Sequence, residues 1–63
     1  MGMTTAAAET LATRGWAVGE RHRLTGDHPL VRAIWALEDA IDHHTTNVDH
    51  AAFRVESLIG DLP

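Results

Sequence analysis

A heptad pattern over residues 30–58 constrains the fold more than any other feature of this chain. Apolar residues recur there in alternating steps of four and three positions, which is the 3.5-residue period of helices that pack side by side. Position a of the heptad holds Ile34, Ile41, Val48 and Val55, and position d holds Leu30, Leu37, His44, Ala51 and Leu58. We call these residues the heptad seam. The pattern predicts an all-α protein that buries one face of this segment in a helical bundle.

The rest of the chain adds a short helix and a connector within a single small domain, residues 1–63. Thr4 or Thr5 is a suitable N-cap for a helix built on the alanines that follow. We expect this N-terminal helix within residues 4–16, from about residue 5 to 14, because Gly15 is a typical helix stop. Residues 17–27 then form a connector. The main segment covers residues 28–60, with Asp27 as the predicted N-cap and Pro29 in the first turn.

Two models fit the main segment. Residues 43–47 are poor helix formers, and Thr46 with Asp49 matches a capping box that would start a second helix, so a helical hairpin is one model. The other is one continuous helix over about residues 28–59, roughly 45 Å long at about 1.5 Å per residue. No glycine or proline interrupts the junction, and the seam keeps its phase across it. We therefore favour the continuous helix and keep the hairpin as the alternative.

The positions beside the seam indicate that the buried face is wide. Ala33 and Ala40 occupy position g, and Val31 and Ala52 occupy position e, where a two-stranded coiled coil usually has charged pairs. Small and apolar flanks suit a bundle of several helices. A chain of 63 residues has a marginal core on its own, and without cysteine it has no disulfide to add. Association with a partner helix is the expected source of further stability, and that helix can be this chain's own N-terminal helix, a symmetry mate or a helix of another protein.

These features predict a non-catalytic protein–protein interaction module that self-associates through the seam as a homodimer or tetramer, or binds a larger protein. Two aromatic residues off the seam extend the predicted interface. His44, the one polar residue of the seam, is a candidate for a pH-sensitive position whose protonation would weaken assembly. The predicted interface comprises Leu30, Ile34, Leu37, Ile41, His44, Val48, Ala51, Val55, Leu58, Trp35 and Phe53.

Other functional classes have less support. A net charge of −4, with no lysine, is unlike a nucleic-acid binder, and no apolar run reaches the length of a membrane span. The expected location is cytoplasmic. No catalytic constellation or cofactor motif is present, so we expect neither an enzyme nor a cofactor. The candidate metal ligands are Asp39, His43 and His50, and they match no known ligand spacing. A small accessory or regulatory subunit of an enzyme complex and a His/Asp metal-binding protein remain the alternatives.

Overall fold

The computed structural model describes residues 4–43 and 47–62. Over these residues the chain forms three α-helices: α1 Thr5–Arg21, α2 Pro29–Asp42 and α3 Val48–Gly60. Each helix packs against both of the others. The predicted all-helical bundle is therefore confirmed, with the N-terminal helix as its third member.

Helix α1 is longer than the sequence suggested. Thr4 caps it as predicted, because its Oγ1 accepts a hydrogen bond from the Ala7 N–H at 3.1 Å. The predicted end near residue 14 is wrong: the helix continues to Arg21, through Gly15 and Gly19, both of which are buried. A Cβ added at Gly15 would stand 2.9 Å from Ile34 Cδ1. The glycine therefore lets α1 approach α2 closely, and it does not terminate the helix.

The actual end of α1 is a Schellman motif. The Leu24 N–H donates to the Gly19 carbonyl at 2.9 Å, and the Arg23 N–H donates to the Glu20 carbonyl at 3.1 Å. Arg23 takes the left-handed position of this motif, with φ of 54°, where glycine is the usual residue. The connector consequently runs from residue 22 to 28, and the first five residues of the predicted connector, 17–21, belong to α1.

Helix α2 begins at Pro29, as predicted, but its N-cap is His28 and not Asp27. The His28 backbone is extended, as expected for a residue before proline. Its ring Nδ1 accepts a hydrogen bond from the Leu30 N–H at 3.1 Å. The His28 imidazole therefore caps α2 in place of the Asp27 carboxylate. The residue next to the first helical position is the one whose side chain can reach the free N–H groups of the first turn.

Helices α2 and α3 are separate, so our preference for a continuous helix is wrong and the alternative hairpin is correct. Helix α2 ends at Asp42 with His43 as its C-cap, and α3 begins after Asn47. Residues 44–46, including Thr46 of the predicted capping box, lie outside the described residues. The hairpin allows Ala52 and Val55 of α3 to be buried in the same core as α1 and α2. A continuous helix would carry these two side chains away from that core.

The core lies between the three helices and is apolar. Leu30, Ile34, Leu37 and Val55 are its largest fully buried side chains. Helix α1 contributes Ala8, Leu11 and Ala12, and the small residues Ala33 and Ala52 complete the cluster. No polar or charged side chain is buried among the described residues. The burial of Val31, Ala33, Ala40 and Ala52 confirms that the flanks of the seam widen the buried face.

Candidate interaction surface

Most of the heptad seam lies inside the chain's own core. Leu30, Ile34, Leu37 and Val55 are fully buried, and the remaining described members are partly buried against the same cluster: Ile41, Val48, Ala51 and Leu58. His44 lies outside the described residues, as does any structural basis for the pH response predicted there. Partner binding by the seam stays a prediction, but its buried residues contact another chain only if the bundle opens.

The two aromatic residues of the predicted interface are exposed. Trp35 is 52% exposed and Phe53 is 68% exposed. The Trp35 ring packs at a tilt against Trp16, with ring centroids 6.4 Å apart, so α1 covers one side of it. The structure gives no contact between Trp35 and Phe53. Each is a single exposed ring, which is ordinary on a protein surface.

The predicted metal ligands come together only in part. His43 Nδ1 lies 3.3 Å from Asp39 Oδ1 and 2.9 Å from the Asp39 carbonyl oxygen. The hydrogen bond to that carbonyl, followed by the charge of the Asp39 carboxylate, raises the pKa of His43 above its ordinary value. His50 lines the same groove as Asp39. Across residues 4–43 and 47–62, however, no three histidine, aspartate or glutamate side chains are grouped so that they could hold a metal ion.

A groove of about 570 Å³ lies between α2 and α3. We call it the α2–α3 groove, and it is lined by Arg32, Ala33, Ala36, Asp39 and Ala40 of α2 and by Asn47, His50, Ala51 and Arg54 beside and on α3. Four alanines make its apolar part. Because their side chains are single methyl groups, a helix entering the groove could approach closely.

The charges of the α2–α3 groove are arranged along its length. Arg32 and Arg54 are both exposed, and neither makes an ion pair within the described part of the chain, where the ion pairs are Arg14–Glu56 and Asp39–His43. Asp39 lies seven residues after Arg32 on α2, which is about 10 Å along a helix. The groove therefore offers unpaired positive groups and, about two turns away, a carboxylate.

Helix α2 carries these charges in an order that its own dipole disfavours. No acidic residue occupies its first turn and no basic residue its last turn. Instead, Arg32 follows closely on the N-terminus, while Asp39 and Asp42 lie in the final turn. Since a helix favours acidic groups at its N-terminus and basic groups at its C-terminus, this arrangement does not stabilise the isolated helix.

The sequence alone pointed to part of this surface. It predicts that Ala33 and Ala40 are small flanks that permit close helix packing, but it does not identify Arg32, Ala36 and Arg54 as part of the surface. A signal was present, because Ala33, Ala36 and Ala40 follow one another at helical spacing between Arg32 and Asp42. Arg54 could be added only once the hairpin brought α3 beside α2.

Comparison of the chain with protein-family models, with curated proteins and with solved structures finds no match. None of the helices in the described parts of the chain has the length and apolar character needed to cross a membrane.

Proposed function

We propose that this chain is a non-catalytic helical protein–protein interaction module, and that the α2–α3 groove receives a helix from another chain. The single observation that carries the proposal is the pair of unpaired arginines, Arg32 and Arg54, beside an alanine-lined groove. Guanidinium groups bind carboxylates with two parallel hydrogen bonds. A helix with a small or apolar face and acidic flanks therefore matches this groove.

The burial of apolar side chains in the core limits where a partner can bind. Leu30, Ile34, Leu37 and Val55 of the heptad seam are fully buried, and its other described members are partly buried against them, so a partner that leaves the fold intact meets mainly the outside of the bundle. Of the exposed features, the α2–α3 groove combines length, an apolar lining and unsatisfied charge. Trp35 already packs on Trp16, and Phe53 is a single exposed ring that does not line this groove.

The chemistry of the chain supports a binding role in preference to catalysis. The sequence has no cysteine or tyrosine and a single serine, Ser57. The groove itself has Arg32, Asp39, His50 and Arg54 as its ionisable groups, and all four are exposed to solvent. Active sites generally exclude water from their reacting groups, whereas these groove residues are exposed to it.

Selection of helical peptides tests the proposal directly. A phage-displayed library of 20-residue amphipathic helices is selected on the immobilised chain and counter-selected on an Ala36→Trp variant, whose indole fills the groove. Ala36 is exposed, so the variant should keep its fold. We expect enrichment of helices with acidic flanks that bind the wild type and not the variant.

Ser57→Trp is the matched control, because it places the same ring on an exposed position of α3 that does not line the groove. Selected peptides should bind this control as they bind the wild type. A selection that yields no peptide sensitive to Ala36→Trp would refute the proposed groove. Peptides that lose binding equally in both variants would also refute it.

A further inference from the structure

We infer that the occupant of the α2–α3 groove is a second copy of this chain, with the two α2 helices antiparallel about a two-fold axis beside Ala36. This inference rests on the proposed function and names the partner of that same groove. Its basis is the order of charges along α2. Most symmetric dimers use one self-complementary patch on both subunits, and α2 carries such a patch.

The charge pairing follows from the position of the axis. A two-fold axis at residue 36 places residue 36 − n of one helix opposite residue 36 + n of the other. Position 33 then faces position 39 of the second copy, so Arg32 is one residue, about 1.5 Å of helix rise, from the level of Asp39 in that copy. The symmetry makes this pairing occur twice. Both charges already line the groove of one chain.

The helix dipoles support the same arrangement. The C-terminal turn of α2 contains Asp39 and Asp42 and lacks a basic residue. In the antiparallel pair, this negative end lies beside Arg32 and the positive N-terminal end of the other α2. The charges that the dipole of their own helix disfavours are thus favoured by the helix opposite. Arg54 adds a second positive group from α3 on the same groove.

Packing at the axis is compatible with close contact. Ala36 is exposed in the single chain and would meet its own symmetry mate. Ala33 and Ala40 flank it on the groove side of the helix. The methyl side chain of alanine allows two helices to approach to about 8 Å, a distance at which the long Arg32 side chain spans to a carboxylate on the neighbouring helix.

Sedimentation equilibrium tests this inference on the full chain over a wide concentration range. We expect the wild type to dimerise. Arg32→Glu and Asp39→Arg should each weaken dimerisation about tenfold or more, since each replaces two attractions with two repulsions. The double variant R32E/D39R should regain the dimer, because the exchanged charges again face each other. Ala36→Glu should be monomeric, since it places two carboxylates at the axis.

These variants separate loss of the dimer from loss of the fold. Glu at position 32 and Arg at position 39 both agree with the dipole of α2, so circular dichroism at a concentration where the wild type is monomeric should show helix content and melting no worse than those of the wild type. Arg21→Glu and Asp27→Arg are controls with the same charge changes at exposed positions outside the groove. They should leave the dimerisation constant unchanged.

Three results would overturn the inference. One is a wild type that stays monomeric to millimolar concentration; if the peptide selection still yields groove binders, the proposed function stands and only the identity of the partner is wrong. A second is a dimer that persists in Ala36→Glu, which would place the interface elsewhere and point to exchange of α3 between copies. The third is failure of R32E/D39R to dimerise when both single variants are folded.

Discussion

Gly15→Ala should destabilise the protein although alanine is the better helix former. Gly15 is in the interior of α1 and is buried. A Cβ at this position would stand 2.9 Å from Ile34 Cδ1, 3.0 Å from Ile34 Cγ1 and 3.5 Å from Val55 Cγ1. Ile34 is fully buried, so its end cannot move into solvent to make room. The methyl group must therefore push α1 away from α2 or force Ile34 into a poor rotamer.

Two opposing contributions set the magnitude. Replacing an interior helical glycine with alanine contributes about 0.5–1 kcal/mol of stability. Overpacking a tight core costs about 1–3 kcal/mol. We expect a net loss of about 1 kcal/mol for Gly15→Ala. In a chain of this size, that corresponds to a fall in Tm of about 4–8 °C.

Gly19→Ala is the matched control in the same helix. The nearest side-chain atom to a Cβ there is Leu24 Cδ1 at 4.0 Å, an ordinary contact, so the helix-propensity gain remains. This variant should be more stable than the wild type by about 0.5–1 kcal/mol. Urea unfolding followed by circular dichroism, at one protein concentration for all variants, measures both changes.

A double-mutant cycle identifies the contact. Ile34→Val removes the Cδ1 atom and by itself costs about 0.5–1.5 kcal/mol. In the Gly15→Ala background it should cost much less, because it also relieves the overlap, and the coupling free energy should reach about 1 kcal/mol. Additive changes, or a Gly15→Ala variant as stable as Gly19→Ala, would show that α1 does not approach Ile34 as the structure describes.

Three further outcomes follow from the fold. Arg23→Gly should stabilise the protein by about 0.5–1 kcal/mol by relieving the left-handed backbone at φ 54°, whereas Arg21→Gly within α1 should destabilise it; urea unfolding distinguishes them. Because Asp39 raises the pKa of His43 in the folded chain, the contribution of this group to stability is complete below the unfolded-state pKa and is lost as pH rises through the raised folded-state pKa. His43→Gln should therefore lack this loss of stability between pH 5 and pH 8. An NMR titration of the His43 ring should give a raised midpoint, and an unshifted midpoint contradicts this. Leu37→Ala, at a fully buried site, should cost about 2–5 kcal/mol, while Phe53→Ala at an exposed site should change stability by less than about 0.5 kcal/mol.

The fold class and the identity of the core could be predicted from sequence because both depend on apolar periodicity. The seam residues Leu30, Ile34, Leu37 and Val55 are the largest fully buried side chains. Local chemistry was less informative at the helix ends. The position of Gly15 predicts a helix stop, but glycine is also the residue that allows two helices to come into close contact. Which of these two roles a glycine has depends on whether another helix packs against it, and the local sequence does not contain that information.

The candidate groove could not be predicted from the sequence for a related reason. Its α2 side is visible in the sequence as alanines at helical spacing, but Arg54 and His50 join it only when α3 folds back beside α2. The choice between hairpin and continuous helix therefore also decides which charged residues share a surface. With the wrong choice, Arg54 would be about 30 Å from Arg32 along one helix.

The unbroken heptad phase across the junction favours a continuous helix, and that prediction is wrong. The phase at a single junction is a weak test of whether a helix continues through it. The last apolar seam residue before it, Ile41, and the first after it, Val48, are seven positions apart, and several loop lengths would give a spacing that fits a heptad. The buried face of α3 also differs from the extrapolated seam. Ala52 and Val55 are buried, whereas Ala51 is only partly buried, so the face has turned from position d toward position e. That rotation leaves Ala51 facing the α2–α3 groove, and a seam residue predicted to meet a partner thereby becomes part of the surface on which we propose that the partner docks.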